Sequence, residues 1–364
     1  MENPLQFFTG MKDPRVERTR DHLLTDIIYI TIAAVISGAE SWYDIEAFGK
    51  AKYDWLKKFL NLPNGIPTHD TFNRFFASLD PDELAKCFLE WTRSVSCLTE
   101  GEVISIDGKT LRGSRDQGKK SIVHMVSAWA GSNNIVLAQK KVDNKSNEIT
   151  AIPALLEVLE LKGCIVTIDA MGCQKTIASA IVDKQADYIL ALKGNQGELH
   201  EDVKESFRFM KSNSMSEETD LGHGRIEKRV CSVINDLSMV YQKDQWKGLC
   251  SIIKIEAERY IKSTGETQRE TRYYISSLQG DAQQSNRSIR DHWKIENSLH
   301  WILDVAFNED QDRKRTGNAA QNFSVINRIA LNLLKNETST KQGIKGKRLK
   351  AGWSNEYLEA ILKI

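Results

Sequence analysis

The six cysteines of this 364-residue chain (Cys87, Cys97, Cys164, Cys173, Cys231 and Cys250) lie far apart, and no C-x-x-C pair occurs. That spacing argues against a zinc site and a disulfide framework, and it fits a reducing cytoplasm. Long hydrophobic runs are scarce as well. The most apolar stretch, Leu23 to Ile36, contains Thr25 and Asp26 and falls short of the roughly 20 residues a membrane span needs. It reads as a core helix, and no membrane partner is expected. The opening MENPLQFFTG has neither the basic region nor the apolar core of a secretory signal. Charge of one sign is not in excess: 50 Lys+Arg against 49 Asp+Glu leave a formal net charge of +1. The total neither supports nor excludes a nucleic-acid partner, because binding follows local basic patches. No Ser/His/Asp or Cys/His nucleophile arrangement stands out.

What is present is an ordinary globular composition, 41% hydrophobic and 27% charged, with basic residues gathered in three places. Lys109, Arg112, Arg115, Lys119 and Lys120 form one cluster, Arg313 to Arg315 a second, and Lys341, Lys345, Lys347, Arg348 and Lys350 a third. Residues 1–99 read as a helical N-terminal domain. Within it, Thr68 caps a helix carrying Phe72, Phe75 and Phe76 after the Leu62–Pro67 turn, and Asp80-Pro81-Asp82-Glu83 is a strong helix start. DNA reading and plain three-helix packing predict the same pattern there.

From residue 100 to 336 the texture is α/β. A strand from Glu102 ends in Asp107; a hairpin follows over Ile122–Ala130 and Ile135–Val142; then helix Glu148–Leu161, strand Cys164–Asp169, helix Gln174–Lys184 and strand Asp187–Lys193 alternate. Residues 216–280 return to β character, with runs Arg225–Ile234, Ser238–Gln245, Ile252–Lys262 and Thr271–Ser277 expected to form an inserted sheet opened by His223-Gly224-Arg225. Residues 337–364 are expected to be a basic tail with a short helix near Glu356–Leu362.

Asp107 and Asp169 each close a strand of the same predicted sheet. If those strands are parallel neighbours, both carboxylates emerge at the carboxyl ends, where open α/β sheets hold their ligands. Either acid alone is more readily read as a turn former. Side by side they repel and call for a cation, and divalent ions shared by two or three carboxylates are the arrangement of phosphodiester chemistry. Hard oxygen ligands without a Cys/His cluster favour Mg2+ or Mn2+ over zinc. A third acid stands in IRDHWKIENSLHWILDVAFNED, residues 289–310. On a continuous helix, Ile289, Trp293, Leu299, Ile302, Leu303 and Ala306 form an apolar stripe, with Glu296 inside it. A carboxylate there needs a partner such as His292, His300, an arginine or a metal ion. Trp293 and Trp301 read as core residues.

The order Ser105-Ile106-Asp107-Gly108-Lys109, then Asp169-Ala170-Met171-Gly172-Cys173-Gln174, a β insertion and a late His292-Trp293-x-Ile295-Glu296-Asn297 resembles a DDE transposase with a ribonuclease H-like core. More narrowly, it resembles the H-repeat-associated group of bacterial insertion-sequence transposases. The resemblance covers nearly the whole chain. It implies a mixed ribonuclease H-like sheet with a β-rich insertion and a helical N-terminal domain. It implies Asp107 as the acid bridging two Mg2+ or Mn2+ ions, with Asp169 and Glu296 each completing one site. The implied activity is metal-dependent cleavage and strand transfer at the ends of an insertion element. The implied partner is double-stranded DNA, bound by a homodimer at the nucleoid. Lys109, Arg112, Lys193, Asn195, Arg225, Arg290, His292 and His300 are the candidate DNA contacts. Where the broader superfamily carries a Tyr and an Arg before the Glu and a Lys after it, this chain has Ile289, His292 and Leu303. A nuclease or resolvase on the same core, and an idle DNA-binding descendant, are the rival readings. Replacing Glu296 by Gln is expected to relieve repulsion from the two aspartates, and Asp304→Asn and Glu309→Gln to leave activity substantial.

Overall fold

Capping chemistry sets the first helices. In the computed structural model, which describes residues 3–115, 122–143, 147–222 and 224–364, they are α1 (Leu24–Ile36), α2 (Trp42–Ala51), α3 (Tyr53–Leu56), α4 (His69–Ser78) and α5 (Pro81–Val95). Lys119, Lys120 and His223 lie outside the described residues. Ser41 and Asp44 form a reciprocal capping box on α2, and Asp80 accepts from the Asp82 amide (3.0 Å) with Pro81 in the first turn of α5.

The sheet begins with β1 (Val103–Leu111), β2 (Val123–Ala130) and β3 (Ile135–Lys141). Helix α6 (Glu148–Val158), β4 (Ile165–Ile168), α7 (Lys175–Asp183), β5 (Asp187–Leu192) and α8 (Gly197–Phe209) follow. Four more strands come next: β6 (Ser214–Gly222), β7 (Arg225–Ile234), β8 (Ser251–Ile261) and β9 (Thr267–Ser276). All belong to one nine-stranded mixed sheet of order β3-β2-β1-β4-β5-β9-β8-β7-β6. β1, β4 and β5 are parallel neighbours; the remaining pairings are antiparallel. This is the ribonuclease H-like mixed α/β fold, with two corrections to the sequence reading. The insertion is not a separate sheet, because β9 pairs with β5 (Ile189 opposite Ser276) and extends the core sheet outward. Ser238–Gln245 is turn and a short 3-10 segment, so the expected strand there is absent, while α8 was not foreseen.

Helix α9 (Ala282–His292) crosses one face of the sheet and buries Ala282 and Ile289 against Val103, Ile165, Ile189 and Val233. The chain then runs through a π turn, Glu296–His300, into α10 (Trp301–Phe307), α11 (Ala319–Asn336), α12 (Ile344–Trp353) and α13 (Asn355–Leu362). The C-terminal basic segment is no loose tail. Arg348 is buried and donates to the carbonyls of Val35 (2.9 Å), Ala39 (3.1 Å) and Ala306, while Lys347 donates to those of Leu334 (2.9 Å) and Glu337. These carbonyls lie at or just past the C-terminal ends of α1, α10 and α11, and two basic side chains satisfy them from within.

The N-terminal helices share their core with the late ones. Ile27, Phe72, Phe76 and Trp91 belong to one apolar cluster with Ile295, Leu299, Leu303, Phe307 and most of α11. Each such side chain contributes about 1.5–3 kcal/mol through burial. A fragment starting at Gly101 is therefore expected to aggregate rather than to survive as a non-selective DNA binder. Solubility and a thermal melt check this; a soluble fragment melting cooperatively near the full chain's temperature would show that the late helices need no partner.

Candidate active site

β1 runs four residues beyond Asp107, because β2 pairs with it continuously from Ile104 opposite Ala130 to Leu111 opposite Val123. Pairing with β4 stops at Ile106 opposite Ile168. Asp107 thus projects level with Asp169, the first residue after β4, although it does not end its own strand. The Asp169 carboxylate accepts from the Met171 (3.0 Å) and Gly172 (3.3 Å) amides and so caps the turn that follows. The Asn195 side chain donates to the Ala170 carbonyl (2.7 Å) of that turn.

Glu296 reaches this pair from the other side, by a route the sequence reading missed. The helix breaks after Trp293 and re-forms with a π turn, so the buried stripe is Ile289, Ile295, Leu299 and Leu303. Glu296 lies off it with its side chain 57% exposed, and Trp293 and Trp301 are exposed rather than core. An inserted residue in a helix rotates the side chains beyond it, and such turns recur at functional sites. Buried His300 joins the acids: its Nδ1 donates to Glu296 Oε2 (3.2 Å) and lies 3.5 Å from Asp107 Oδ2. Ligand atoms of Asp107, Glu296 and His300 all fall within 4.8 Å of one another. Asp169 faces the same cavity of about 290 Å³, lined also by Thr167, Lys193 and His292.

The electrostatics match this geometry. Burial, helped by the charges of Asp169 and Glu148, pushes the Asp107 carboxyl up to about 6 against the pull of His300. Burial and Glu148 raise Asp169 as well, while backbone amides and Lys193 hold it back. The His300 hydrogen bond lowers Glu296. Burial drops His292 to about 4, and its Nδ1 sits 3.0 Å from Thr167 Oγ1. A neutral ring tied to β4 is a packing element, so His292 is poorly placed as a cationic phosphate ligand. Ile289 and Leu303, the other two departures, are buried.

The remaining candidate DNA contacts scatter. Lys109 is buried and engages Asp304 (2.6 Å) and Asp310 (3.4 Å), so its charge is already neutralised within the fold. Arg112 is exposed, 3.4 Å from Asp310. Arg290 is paired with Asp220. Lys193 lines the cavity, and Arg225 lines a groove of about 330 Å³ on β7–β9 with Arg229, Arg259 and Arg290. Arg272 and Trp293 line both, with the guanidinium 4.7 Å over the indole. Of the second basic cluster, Lys314 is buried and donates to the Glu40 carbonyl (2.5 Å), and Arg315 donates to that of Gly113 (2.9 Å).

Residues 98–333 match the model of the Transposase DDE domain, and residues 5–92 that of the DDE_Tnp_1-associated region. The chain belongs to the DDE transposase family. It is 45% identical over 372 residues to the "Putative transposase YncI" of Escherichia coli O157:H7, covering 100% of this chain and 95% of that protein. It is 42% identical over 352 residues to the "H repeat-associated putative transposase YhhI" of E. coli K12, covering 94% and 93%. Among solved structures, a piggyBac transposase synaptic complex with hairpin DNA aligns at 11% identity and TM-score 0.48, over 99% of this chain and 77% of that one, too loose a superposition to argue from. Among the described residues of this DDE transposase family member, no helix is long and apolar enough to cross a membrane.

Proposed function

We propose that this family member is an active DNA transposase, with Asp107, Asp169 and Glu296 as its catalytic acids. The observation that carries the reading is the meeting of Asp107 and Asp169, on adjacent parallel strands, with Glu296 from the π turn at one cavity. The donor set suits a hard divalent cation. Asp107, lifted to about 6 chiefly by burial, with Asp169 and Glu148 adding to the shift and His300 opposing it, is a carboxylate whose ionised form a cation would stabilise. Asp107, Asp169 and Glu296 would hold the Mg2+ or Mn2+. Bound there, such ions supply Lewis acidity toward the phosphodiester and the attacking hydroxyl.

The chain's own groups prepare the site. The backbone amides after Asp169 and the His300 ring fix the directions of the carboxylates. Lys193 offers the cavity a cation for a phosphate oxygen. In the first reaction the oxygen of a water joins phosphorus and the 3′-oxygen of the element's end departs with a proton. In the second, the oxygen of that 3′-hydroxyl joins the phosphorus of a target phosphodiester in line, and the target's own 3′-oxygen departs, taking up the proton the hydroxyl gives up. The substrate is double-stranded DNA, bound by a homodimer at the nucleoid in the cytoplasm.

A supercoiled plasmid carrying the element's ends, incubated with Mg2+, tests the reading. Strand joining marks a transposase, nicking alone a nuclease or resolvase, and neither an idle binder. Activity is expected with Mg2+ or Mn2+ and not with Zn2+, since the three proposed ligands are carboxylates and the nearby imidazole nitrogen, His300 Nδ1, is engaged by Glu296. Full cleavage in excess chelator would sink the metal assignment.

A further inference from the structure

Beyond Asp107, β1 has left its pairing with β4, and the chain after Glu296 lies along it instead. Alternate residues of a strand share a face, so Asp107, Lys109 and Leu111 point the same way. Three stations of the late segment meet that face in order. His300 Nδ1 lies 3.5 Å from Asp107 Oδ2. Asp304, one helical turn further on, accepts from Lys109 Nζ with both carboxylate oxygens (2.6 Å each), and Asp310 Oδ1 lies 3.4 Å from the same ammonium. Leu111 then lines a small cavity with Asp312. The spacings agree, since two strand residues advance about 7 Å and four helical residues about 6 Å.

The seam continues past the strand. Arg112 Nε lies 3.4 Å from Asp310 Oδ2, and Arg315 Nε donates to the Gly113 carbonyl (2.9 Å). A Cβ on Gly113 would collide with the Asp312 carbonyl, so the missing side chain admits this backbone approach. Within the seam Lys109 is the buried cation, 7% exposed, whereas the Arg112 side chain is 79% exposed. The Coulomb attraction of an ion pair desolvated to that degree is largely offset by lost hydration, so its main effect is on geometry. Its acid partner Asp304 belongs to α10, the helix that continues directly from the turn holding Glu296 and His300.

We infer that Lys109 is a positioning residue, whose ammonium fastens α10 to β1 through Asp304 and thereby holds Glu296 and His300 in register with Asp107. This rests on the proposed reading of these acids as a cation centre. Three accounts of Lys109 differ in what its removal does. A cation beside acids repels a metal ion, so on charge alone Lys109→Met would tighten Mn2+ binding. A phosphate contact would leave Mn2+ binding alone, weaken DNA binding in chelator and reduce its salt slope by about one. A positioning residue weakens Mn2+ binding and leaves DNA affinity in chelator unchanged.

The measurement is Mn2+ uptake by the full-length chain without DNA, followed by loss of the free-ion electron paramagnetic resonance signal. A thermal melt in chelator, and binding of a duplex of the element's end in chelator over a range of salt, run alongside. Lys109→Met is expected to weaken Mn2+ binding by about tenfold or more, with DNA affinity and its salt slope unchanged. The single substitution also strands Asp304, which lowers the melting temperature and offers Mn2+ a stray carboxylate. Lys109→Met/Asp304→Leu removes both effects, because an apolar pair commonly matches a buried ion pair in stability. That double variant is expected to melt near the wild-type temperature and still to bind Mn2+ about tenfold more weakly. Asp304→Asn, which keeps an acceptor for the ammonium, is expected to shift binding much less. Wild-type or tighter Mn2+ affinity in the double variant overturns the inference and leaves the three-acid reading standing. So does a loss of DNA affinity in chelator with Mn2+ binding intact, which marks a phosphate contact. A wild-type chain that takes up no Mn2+ overturns the cation centre itself and this inference with it.

Discussion

Asp107→Asn is expected to abolish DNA cleavage and, in the same protein, to raise the melting temperature without metal. The loss of a group that manages charge at the reacting phosphate is worth at least about 10²–10³-fold in rate. The gain in stability follows from linkage. Asp107 is raised from 3.8 to about 6 in the folded chain, first by burial. Between those values the folded state holds a proton that the unfolded state has released, so metal-free stability falls as pH climbs from about 4 to about 6. Above that window the ionised folded form carries the full penalty, on the order of 2–3 kcal/mol. Asn cannot ionise and escapes it. Melts in chelator should therefore separate variant and wild type more at pH 7.5 than at pH 5, and saturating Mn2+ should restore the wild type alone. A variant that melts lower at pH 7.5, or still cuts, contradicts the assignment. Glu296→Gln should also lose cleavage, but the expected relief of repulsion does not belong to it. Glu296 is held below its usual range by the His300 hydrogen bond and is more than half exposed, so its charge is already comfortable.

The contrast shows which parts of the site could be read from residues alone. Short apolar runs ending in acids placed the start of β1, all of β4 and Asp169 within a residue or two, because parallel strands buried on both faces give near-continuous apolar runs, while the four residues by which β1 outruns Asp107 follow from its pairing with β2. Glu296 was singled out by a continuous helical projection, yet the helix is not continuous. The π turn moves Glu296 off the buried stripe, and Trp293 with it. No local rule announces an extra residue in a helix whose position is set by packing against β1 and α11. Lys109 illustrates a second limit. Its place beside Asp107 suggested a phosphate contact, but its charge is answered by Asp304 and Asp310 nearly two hundred residues away. The His124–Glu148 pair, joining β2 to α6, leaves no spacing signature at all. Basic composition misled at the C-terminus for the same reason, since Arg348 spends its donors on carbonyls of α1 and α10 rather than on DNA.

Glu309→Gln is expected to damage the fold while leaving the activity of each folded molecule substantial. Glu309 is 3% exposed and accepts from Arg328 Nη1 and from Asn327 Nδ2 (3.3 Å), both on α11. Arg328 itself is fully buried, and it also donates to the Ser324 carbonyl (3.1 Å). Removing the carboxylate charge strands a buried guanidinium, which typically costs about 3–5 kcal/mol. That is a large share of the roughly 5–15 kcal/mol by which a protein stays folded. The retained amide oxygen places Gln at the lower end. A drop in melting temperature of several degrees should appear, while cleavage per folded molecule at low temperature stays near wild type, because Glu309 lies outside the acid cluster. Asp304→Asn should cost less, since Lys109 keeps Asp310 at 3.4 Å. The double variant Glu309→Gln/Arg328→Met removes the stranded cation and should recover much of the loss. Wild-type melting in Glu309→Gln would mean that the pair is solvated in solution and that the junction between α10 and α11 is held by apolar packing alone.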